Sequence, residues 1–401
     1  MGEIISFYSY KGGVGRSMAL ANLAVLLAQR GRTVLAVDFD LDAPGLHRYF
    51  LREDTGLEAP RSMPARQQHG VIEMFIEMQT RVLEEAAPLE PGGPPRDPGP
   101  AIPGIVRRLL DAGNYGYHVR VRDPSTSTPV PLRLLTAGRF DGGYAQRVHE
   151  LDWVRLFEEH GELFEELVAG WRARYEYVLV DSRTGVSDIG SVSTVILADK
   201  LVLAFTPNEQ SLQGALDVGR KAVTRRRQMG GNDLPLFPLV SRVDLGEEGL
   251  RREFMQDAAK RFAQLFDELY GDGSEQDFLS YFRAVQIPHV GHHAYWEKIS
   301  AENDKPADAN SLAHGYARFL DCVQGDRLAG WADRIRDPLR ALPRDRALVV
   351  SLEKTEIEPP TSFAFERIIR APERLPPDIS ARLRAVPVDV EAWTQAPGSS
   401  L

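Results

Sequence analysis

A single cysteine, Cys322, in a chain of 401 residues excludes an internal disulfide framework and leaves no set of thiolates to hold a metal. Long apolar runs are missing as well. The most apolar stretch, 194–207, is interrupted by Asp199-Lys200, so no transmembrane span is expected. Basic residues are the minority charge: 48 Lys and Arg against 57 Asp and Glu give a net charge of −9. That balance excludes wholesale coating of nucleic acid and leaves only a local basic patch open. The C-terminal region lacks an amphipathic basic helix of the membrane-targeting kind, and there is no internal repeat. A glycine-rich motif begins at Lys11, with no room ahead of it for a signal peptide, so the expectation is a cytoplasmic protein. The length exceeds one average domain, although an open α/β sheet with an insertion absorbs most of it.

Glycine, by contrast, is concentrated where it matters. Lys11-Gly12-Gly13-Val14-Gly15-Arg16-Ser17 follows the apolar run Ile4, Ile5, Phe7 and precedes a helical pattern over 17–29, with Leu20, Leu23, Ala24 and Leu27 on one face. That helix ends at Arg30-Gly31, and Val34-Leu35-Ala36-Val37-Asp38 then reads as a buried strand. The unit is strand, loop, helix, strand. Glycines at 12, 13 and 15 let successive N–H groups turn inward, and the helix N-terminus adds its partial positive charge to the same concavity. Such a loop holds phosphates, with Ser17 placed for its hydroxyl to ligate Mg²⁺.

Two further segments end strands in acids. In Val37-Asp38-Phe39-Asp40-Leu41-Asp42-Ala43-Pro44-Gly45, a carboxylate at the C-terminal end of a parallel strand points into the crevice where doubly wound sheets bind ligands. Asp38 there reaches a metal through water, and Asp40 lies beside the same site. Tyr177-Val178-Leu179-Val180-Asp181 is a second buried strand ending in an acid, followed by Ser182-Arg183-Thr184-Gly185. Asp181 is expected to hold the Mg²⁺ shell with Ser17, and the backbone near Thr184-Gly185 to sense a γ-phosphate. Whether Arg183 contacts phosphate or pairs with Asp188 stays open.

The loop departs from G-x-x-x-x-G-K-[ST] by adding Lys11 and by carrying Arg16 in place of the phosphate-binding lysine. With Ser6–Tyr10 before it and Met18–Ala24 after it, the stretch resembles the deviant-Walker-A ATPases of the ParA/MinD type, in the branch with a K-G-G-V-G-R loop. The resemblance implies a doubly wound, mostly parallel α/β sheet of the P-loop NTPase type. It also implies ATP with Mg²⁺, cradled by Gly12, Gly13, Val14, Gly15, Arg16, Ser17 and Met18. Lys11 is then the residue that crosses a two-fold interface to the partner's nucleotide, Asp38 and Asp181 are metal-side carboxylates, and Asp40 positions the attacking water. Arginine at position 16 bears on hydrolysis more than on binding, because a guanidinium bridges phosphate oxygens but is bulkier than an ammonium. Slow hydrolysis is expected. Ser241-Arg242 resembles the family's Asn-Arg adenine contact, while Asp244 falls where a guanine reader keeps its acid; ATP is preferred on family grounds. Pro207–Leu212 resembles the loop before an interface helix, placing it near a dimer seam.

Further strands are read at 201–206, 236–241 and near 285–288. Two regions look separable from this core, giving an ATPase domain over 1–325, with an insertion at about 51–130, and a proline-rich extension over 326–401. Within the insertion, 84–103 is dense in proline and glycine and reads as a flexible loop, flanked by a helix at 71–83 and strands at 119–121 and 132–135. Arg139, after the last of these, contacts a phosphate, a partner subunit or a surface acid. Amphipathic helices are expected at 250–269, with Leu250, Phe254, Ala258, Phe262, Leu265, Phe266 and Leu269 on one side, and at 311–334.

His289, His292 and His293 form the only histidine cluster, with no cysteine near it to favour a metal. Arg225-Arg226-Arg227 is the best basic patch. ParA-like proteins use such residues on DNA, and a solvated helix end is the plainer reading. The chain is therefore expected to be a homodimer on ATP binding and a switch acting on an unidentified partner protein through the insertion or the C-terminal extension, with no membrane role. Members of the K-G-G-V-G-R branch resemble components of bacterial signalling and conflict (defence) systems more than segregation machinery. The alternatives are a ParA-like ATPase on non-specific DNA, and a nucleotide-binding regulatory subunit with little hydrolysis.

Overall fold

The computed structural model describes residues 2–51, 69–90, 93–126, 128–151, 153–182, 198–304, 308 and 311–325. Eight strands form one sheet: β1 (Glu3–Ser9), β2 (Val34–Asp38), β3 (Tyr117–Arg122), β4 (Pro129–Leu135), β5 (Tyr177–Asp181), β6 (Lys200–Phe205), β7 (Leu236–Val243) and β8 (Gln286–Pro288). Their spatial order is β3-β4-β2-β5-β1-β6-β7-β8. All neighbours pair parallel except β3, which lies antiparallel to β4. Strands β1, β2, β5, β6 and β7 are buried over nearly their whole length, as parallel strands covered on both faces must be. The chain leaves β1 for β2 on one side and later returns to β6 on the other. The doubly wound, mostly parallel architecture of a P-loop NTPase follows, with its crevice at the C-terminal ends of the central strands.

Helix α1 (Arg16–Gln29) is buried almost all round, from Ala19 to Ala28, rather than along one stripe. It packs on the sheet with one side, while Gln29 and Asn22 bond the chain at α12 (Ser300–Asn303) on the other. Among the described residues, ten more helices lie between α1 and α12 in chain order: α2 (His47–Phe50), α3 (Val71–Ala86), α4 (Ile102–Asp111), α5 (Tyr144–Glu150), α6 (Trp153–Glu159), α7 (Gly161–Arg174), α8 (Glu209–Gln228), α9 (Glu248–Tyr270), α10 (Glu275–Ala284) and α11 (Gly291–Trp296). A final helix, α13 (Leu312–Val323), carries Ser311 as its N-cap, accepting from the His314 N–H.

The expected separation of 51–130 from the core needs correcting where it is described. Helices α3, α4 and α7 share one apolar cluster with β2, β4 and β5, through Ile72, Phe75, Ile105, Phe164, Val37 and Val180. β4 continues the main sheet beside β2, and β3 forms its edge. The reading of 84–103 as a flexible loop also changes. α3 runs on to Ala86, a 3₁₀ turn occupies Gly99–Ala101, and α4 begins at Ile102. Arg96 ties the intervening chain down, donating to the carbonyls of Ala87 and Glu84. On the other side of the sheet, α9 and α10 pack Phe262 and Phe282 against Phe205 of β6, with Phe266 and Phe278 packed behind them. Leu250 does not join this face. It is 66% exposed in the first turn of α9, ahead of Met255, where burial begins. Residues 326–401, including the end of the helix read over 311–334, lie outside the described residues.

Candidate phosphate and metal site

The glycine-rich loop connects β1 to α1 at the C-terminal end of the sheet. Gly13 and Gly15 have φ of +76° and +88°, so the two turns that redirect the backbone use conformations that side chains disfavour. Gly12 and Gly13 are exposed, and a Cβ on either would meet nothing within 4 Å. Gly15 is the N-cap of α1, and no side chain caps that terminus. The first N–H groups of the helix are thus presented where an anion is the natural acceptor. Val14 is buried beneath the loop, and its carbonyl accepts the Ser241 hydroxyl.

Two strand ends bring acids to this corner. Asp38 of β2 and Asp181 of β5 are register partners, and both are fully buried; Asp40 follows on the loop after β2. Between them lies the guanidinium of Arg16, 6% exposed. Its Nε donates to Asp181 Oδ1 at 2.5 Å, its Nη2 to Asp40 Oδ2 at 2.6 Å, and its Nη1 reaches Ser9 Oγ at 3.5 Å. The arginine expected to face phosphate is therefore turned inward to the acids. The cause is electrostatic, since three carboxylates in a dry corner need a counter-charge and Arg16 is the nearest. Burial would lower the Arg16 pKa, but the charges of Asp181 and Asp40 outweigh it and raise the value.

Burial also raises Asp181, opposed by the Arg16 charge and by the Ser17 hydroxyl beside it. Asp38 is raised further still, first by burial and then by the charges of Asp181 and Asp40. The sequence reading sent Asp38 toward a metal, whereas its two oxygens accept from the N–H groups of Asp40 (3.3 Å) and Leu46 (3.1 Å). It folds the loop that carries Asp40. Tyr144, which sequence reasoning missed, secures the same loop by donating its hydroxyl to Leu41 O at 2.7 Å. No motif marks Tyr144, because 103 residues separate it from its acceptor.

The remaining expected residues fall as follows. Ser17 is partly exposed at the first turn of α1 beside Asp181. The Met18 carbonyl accepts from Asn22 Nδ2. Lys11 is half-buried at the lip of the loop, its carbonyl accepting from Ser9, and it makes no ion pair among the described residues. Ser241, expected at a base, is 3% exposed and instead supports the loop through Val14. Arg242 beside it is exposed and has a φ of +54° at the bulge where the β7 and β8 registers shift. Arg183, Thr184, Gly185 and Asp188 lie outside the described residues. Asn208 caps α8 by accepting from Ser211 N.

Neither outlying cluster gathers into a site. His293 is buried against Asp304 at 3.4 Å, and His292 lies 3.4 Å from Lys298 Nζ. No three His, Cys, Asp or Glu side chains form a metal cage among the described residues. The basic run on α8 is compensated in part. Arg227 pairs with Asp233 and donates to Leu269 O, Arg226 is half-buried, and Arg220 pairs with Glu268. Arg139 pairs with Asp141 at 3.5 Å. No described helix is long and apolar enough to cross a membrane.

A glycine loop at a helix N-terminus, faced by a strand-end acid, is the arrangement by which a sheet of this topology binds nucleotides. Residues 5–287 match the family model of the CobQ/CobB/MinD/ParA nucleotide binding domain. The chain belongs to that family. Among curated relatives, it is 30% identical over 114 residues to the iron-sulfur cluster carrier protein of Synechocystis sp., covering 28% of this chain and 31% of that protein. It is 51% identical over 41 residues to the septum site-determining protein MinD of Helicobacter pylori, covering 10% and 15%. The chain spans less than a third of the length of either relative. Similar solved structures include the cell division ATPase MinD of Pyrococcus furiosus, at 17% identity and a TM-score of 0.43, covering 81% of this chain and 99% of that one. Another is cobyrinic acid a,c-diamide synthase of Mycobacterium smegmatis with bound ADP and magnesium, at 18% identity and a TM-score of 0.47, covering 82% and 96%.

Proposed function

We propose that this member of the family binds ATP with Mg²⁺ and acts as a nucleotide-dependent dimerising switch on a partner protein, hydrolysing ATP slowly. The observation that carries the reading is the uncapped N-terminus of α1 beneath an open glycine loop, placed beside a buried strand-end acid. Backbone N–H groups from Gly12 to Met18 would receive phosphate oxygens. The residues present also fit a magnesium ion. Asp181 Oδ2 is buried without a hydrogen-bond partner, and the Ser17 hydroxyl stands beside that carboxylate. One carboxylate and one hydroxyl, completed by phosphate oxygens and water, is the sparse protein donor set that Mg²⁺ favours. When bound, the ion would neutralise charge on the phosphates.

The chain's own groups would do the rest. Asp40, on the loop held by Asp38 and Tyr144, is the acid we assign to orienting a water molecule. Lys11, half-exposed and without an ion pair among the described residues, is the cation we assign to a second subunit's phosphates. The partner protein would engage the 51–130 segment or the 326–401 extension. A role in bacterial signalling or conflict systems rests on the K-G-G-V-G-R resemblance. A DNA-surface role is less favoured, because Arg220 and Arg227 already have acidic partners.

Calorimetric titration with Mg-ATP tests the reading. Wild type should bind in the micromolar range, and Ser17→Ala should weaken the Mg²⁺-dependent affinity about tenfold through loss of one metal ligand. A well-folded wild type that binds neither ATP nor GTP would overturn it, and preference for GTP would overturn the base assignment alone.

A further inference from the structure

We propose that Arg16 is a built-in counter-ion that competes with a divalent cation for Asp181, so that the metal side of the site is latched shut by the protein's own guanidinium. This rests on the nucleotide-site reading but can fail independently of it. Three observations carry it. First, the Arg16 side chain, at the start of α1 and just after a loop whose Gly12 and Gly13 are exposed, is 6% exposed, with Nε on Asp181 and Nη2 on Asp40. Second, those two acids come from different elements, the end of β5 and the loop after β2, so one guanidinium closes the corner from both sides. Third, the other oxygen of Asp181 is buried and has no hydrogen-bond partner, so a cation seat remains half-used beside the arginine.

The physics favours a competition over simple coexistence. An arginine and a divalent ion on one carboxylate repel each other in a region with little water to screen them. Arg16 leaving alone would strand Asp38, Asp40 and Asp181 together without a counter-charge, which is strongly unfavourable. Arrival of the ion and departure of the guanidinium are therefore linked steps. Once displaced, Arg16 stands at the first position of α1, beside the loop that faces phosphate. An ordinary lysine at this position has a single ammonium and cannot span both acids with a planar fork.

Mn²⁺ binding to the nucleotide-free full-length protein, followed by electron paramagnetic resonance, tests the latch. Wild type should bind weakly, and Arg16→Ala should bind about tenfold more tightly, because the internal competitor is gone. Arg16→Lys should fall between them. Should Arg16→Ala not fold, as judged by circular dichroism, Arg16→Gln takes its place with the same expectation. Adding Asp181→Asn should erase the gain, which locates the ion. Equal Mn²⁺ affinities in wild type and the neutral variants, or a gain that survives Asp181→Asn, would overturn the proposal. Mg-ATP titration of wild type runs alongside. Its failure would remove the nucleotide reading while the Mn²⁺ result still decides the latch.

Discussion

Asp38 and Asp181 face each other as register partners on adjacent parallel strands, both fully buried, yet only Asp181 receives the Arg16 guanidinium. The pair sets the electrostatics of the site. Asp181 has a cation to offset its burial, while Asp38 has two backbone N–H groups and two acidic neighbours, which is why it is the acid raised furthest from its ordinary range.

A dependence of stability on pH follows. A carboxyl whose folded pKa lies above its unfolded value stabilises fully below the unfolded value, and that contribution is lost as pH rises through the folded one. Asp38 and Asp181 should therefore make the fold less stable as pH rises out of the ordinary carboxylate range. Asp38→Asn keeps the size and one acceptor but cannot ionise, so it should flatten part of that fall. Urea midpoints measured from about pH 5 to about pH 8 would reveal it, and identical slopes in wild type and variant would refute the assignment.

His47 works in the opposite window. Burial, with help from Arg48, lowers it to about 4; its Nδ1 is buried without a partner, and its ring packs 4.3 Å from that of Phe140. Its folded pKa lies below the unfolded value, so its contribution is present above the unfolded value of about 6.5 and is lost as pH falls toward the folded one. Allowing for partial solvent screening, the loss should be roughly 2 kcal/mol. His47→Gln should remove that acid limb from the stability curve.

Tyr144→Phe should destabilise the protein by about 1 kcal/mol through loss of the bond to Leu41 O. Its more telling effect is local. Amide hydrogen exchange should quicken around Phe39–Leu46, the loop that carries Asp40, while α3 and α7 stay protected; unchanged exchange there would show that Asp38 alone holds the loop.

Much of this was legible in the sequence, for identifiable reasons. Val34–Asp38 and Tyr177–Asp181 are short apolar runs closed by an acid, a signal contained within five residues, and both form the strands they suggest. The β1-loop-α1 unit is likewise local. What stayed hidden depends on distant partners. Arg16 turns inward because of acids 24 and 165 residues away. The all-round burial of α1 comes from α12 and α13, nearly 300 residues on, the former tied to it through Asn22. The strand at 132–135 was visible, but its place beside β2 was not, because a parallel pairing across an intervening segment leaves no local pattern. Pro100 and Pro103 read as loop, although proline suits the first turn of a helix and marks the 3₁₀ turn and α4 here.

Lys11 is half-buried at the lip of the loop with no ion pair among the described residues, whereas Arg16, five residues on, is committed to two acids. The two cations are thus placed differently: one faces inward, and the other is the one we propose for a second subunit. Lys11→Ala should leave ATP binding within about threefold of wild type, since a half-exposed charge contributes little to a site it does not enter, yet it should abolish ATP-dependent dimerisation. Asp40→Ala is more complex than the loss of a water-positioning acid, because it also removes one of the two carboxylates that hold Arg16. It should therefore accumulate the ATP-bound dimer and, in the same protein, bind divalent ions no more weakly than wild type. Light scattering with and without Mg-ATP reads the first outcome. A Lys11→Ala protein that dimerises normally, or an ATP-bound Asp40→Ala protein that stays monomeric at tens of micromolar, would break the link between this site and a two-subunit switch.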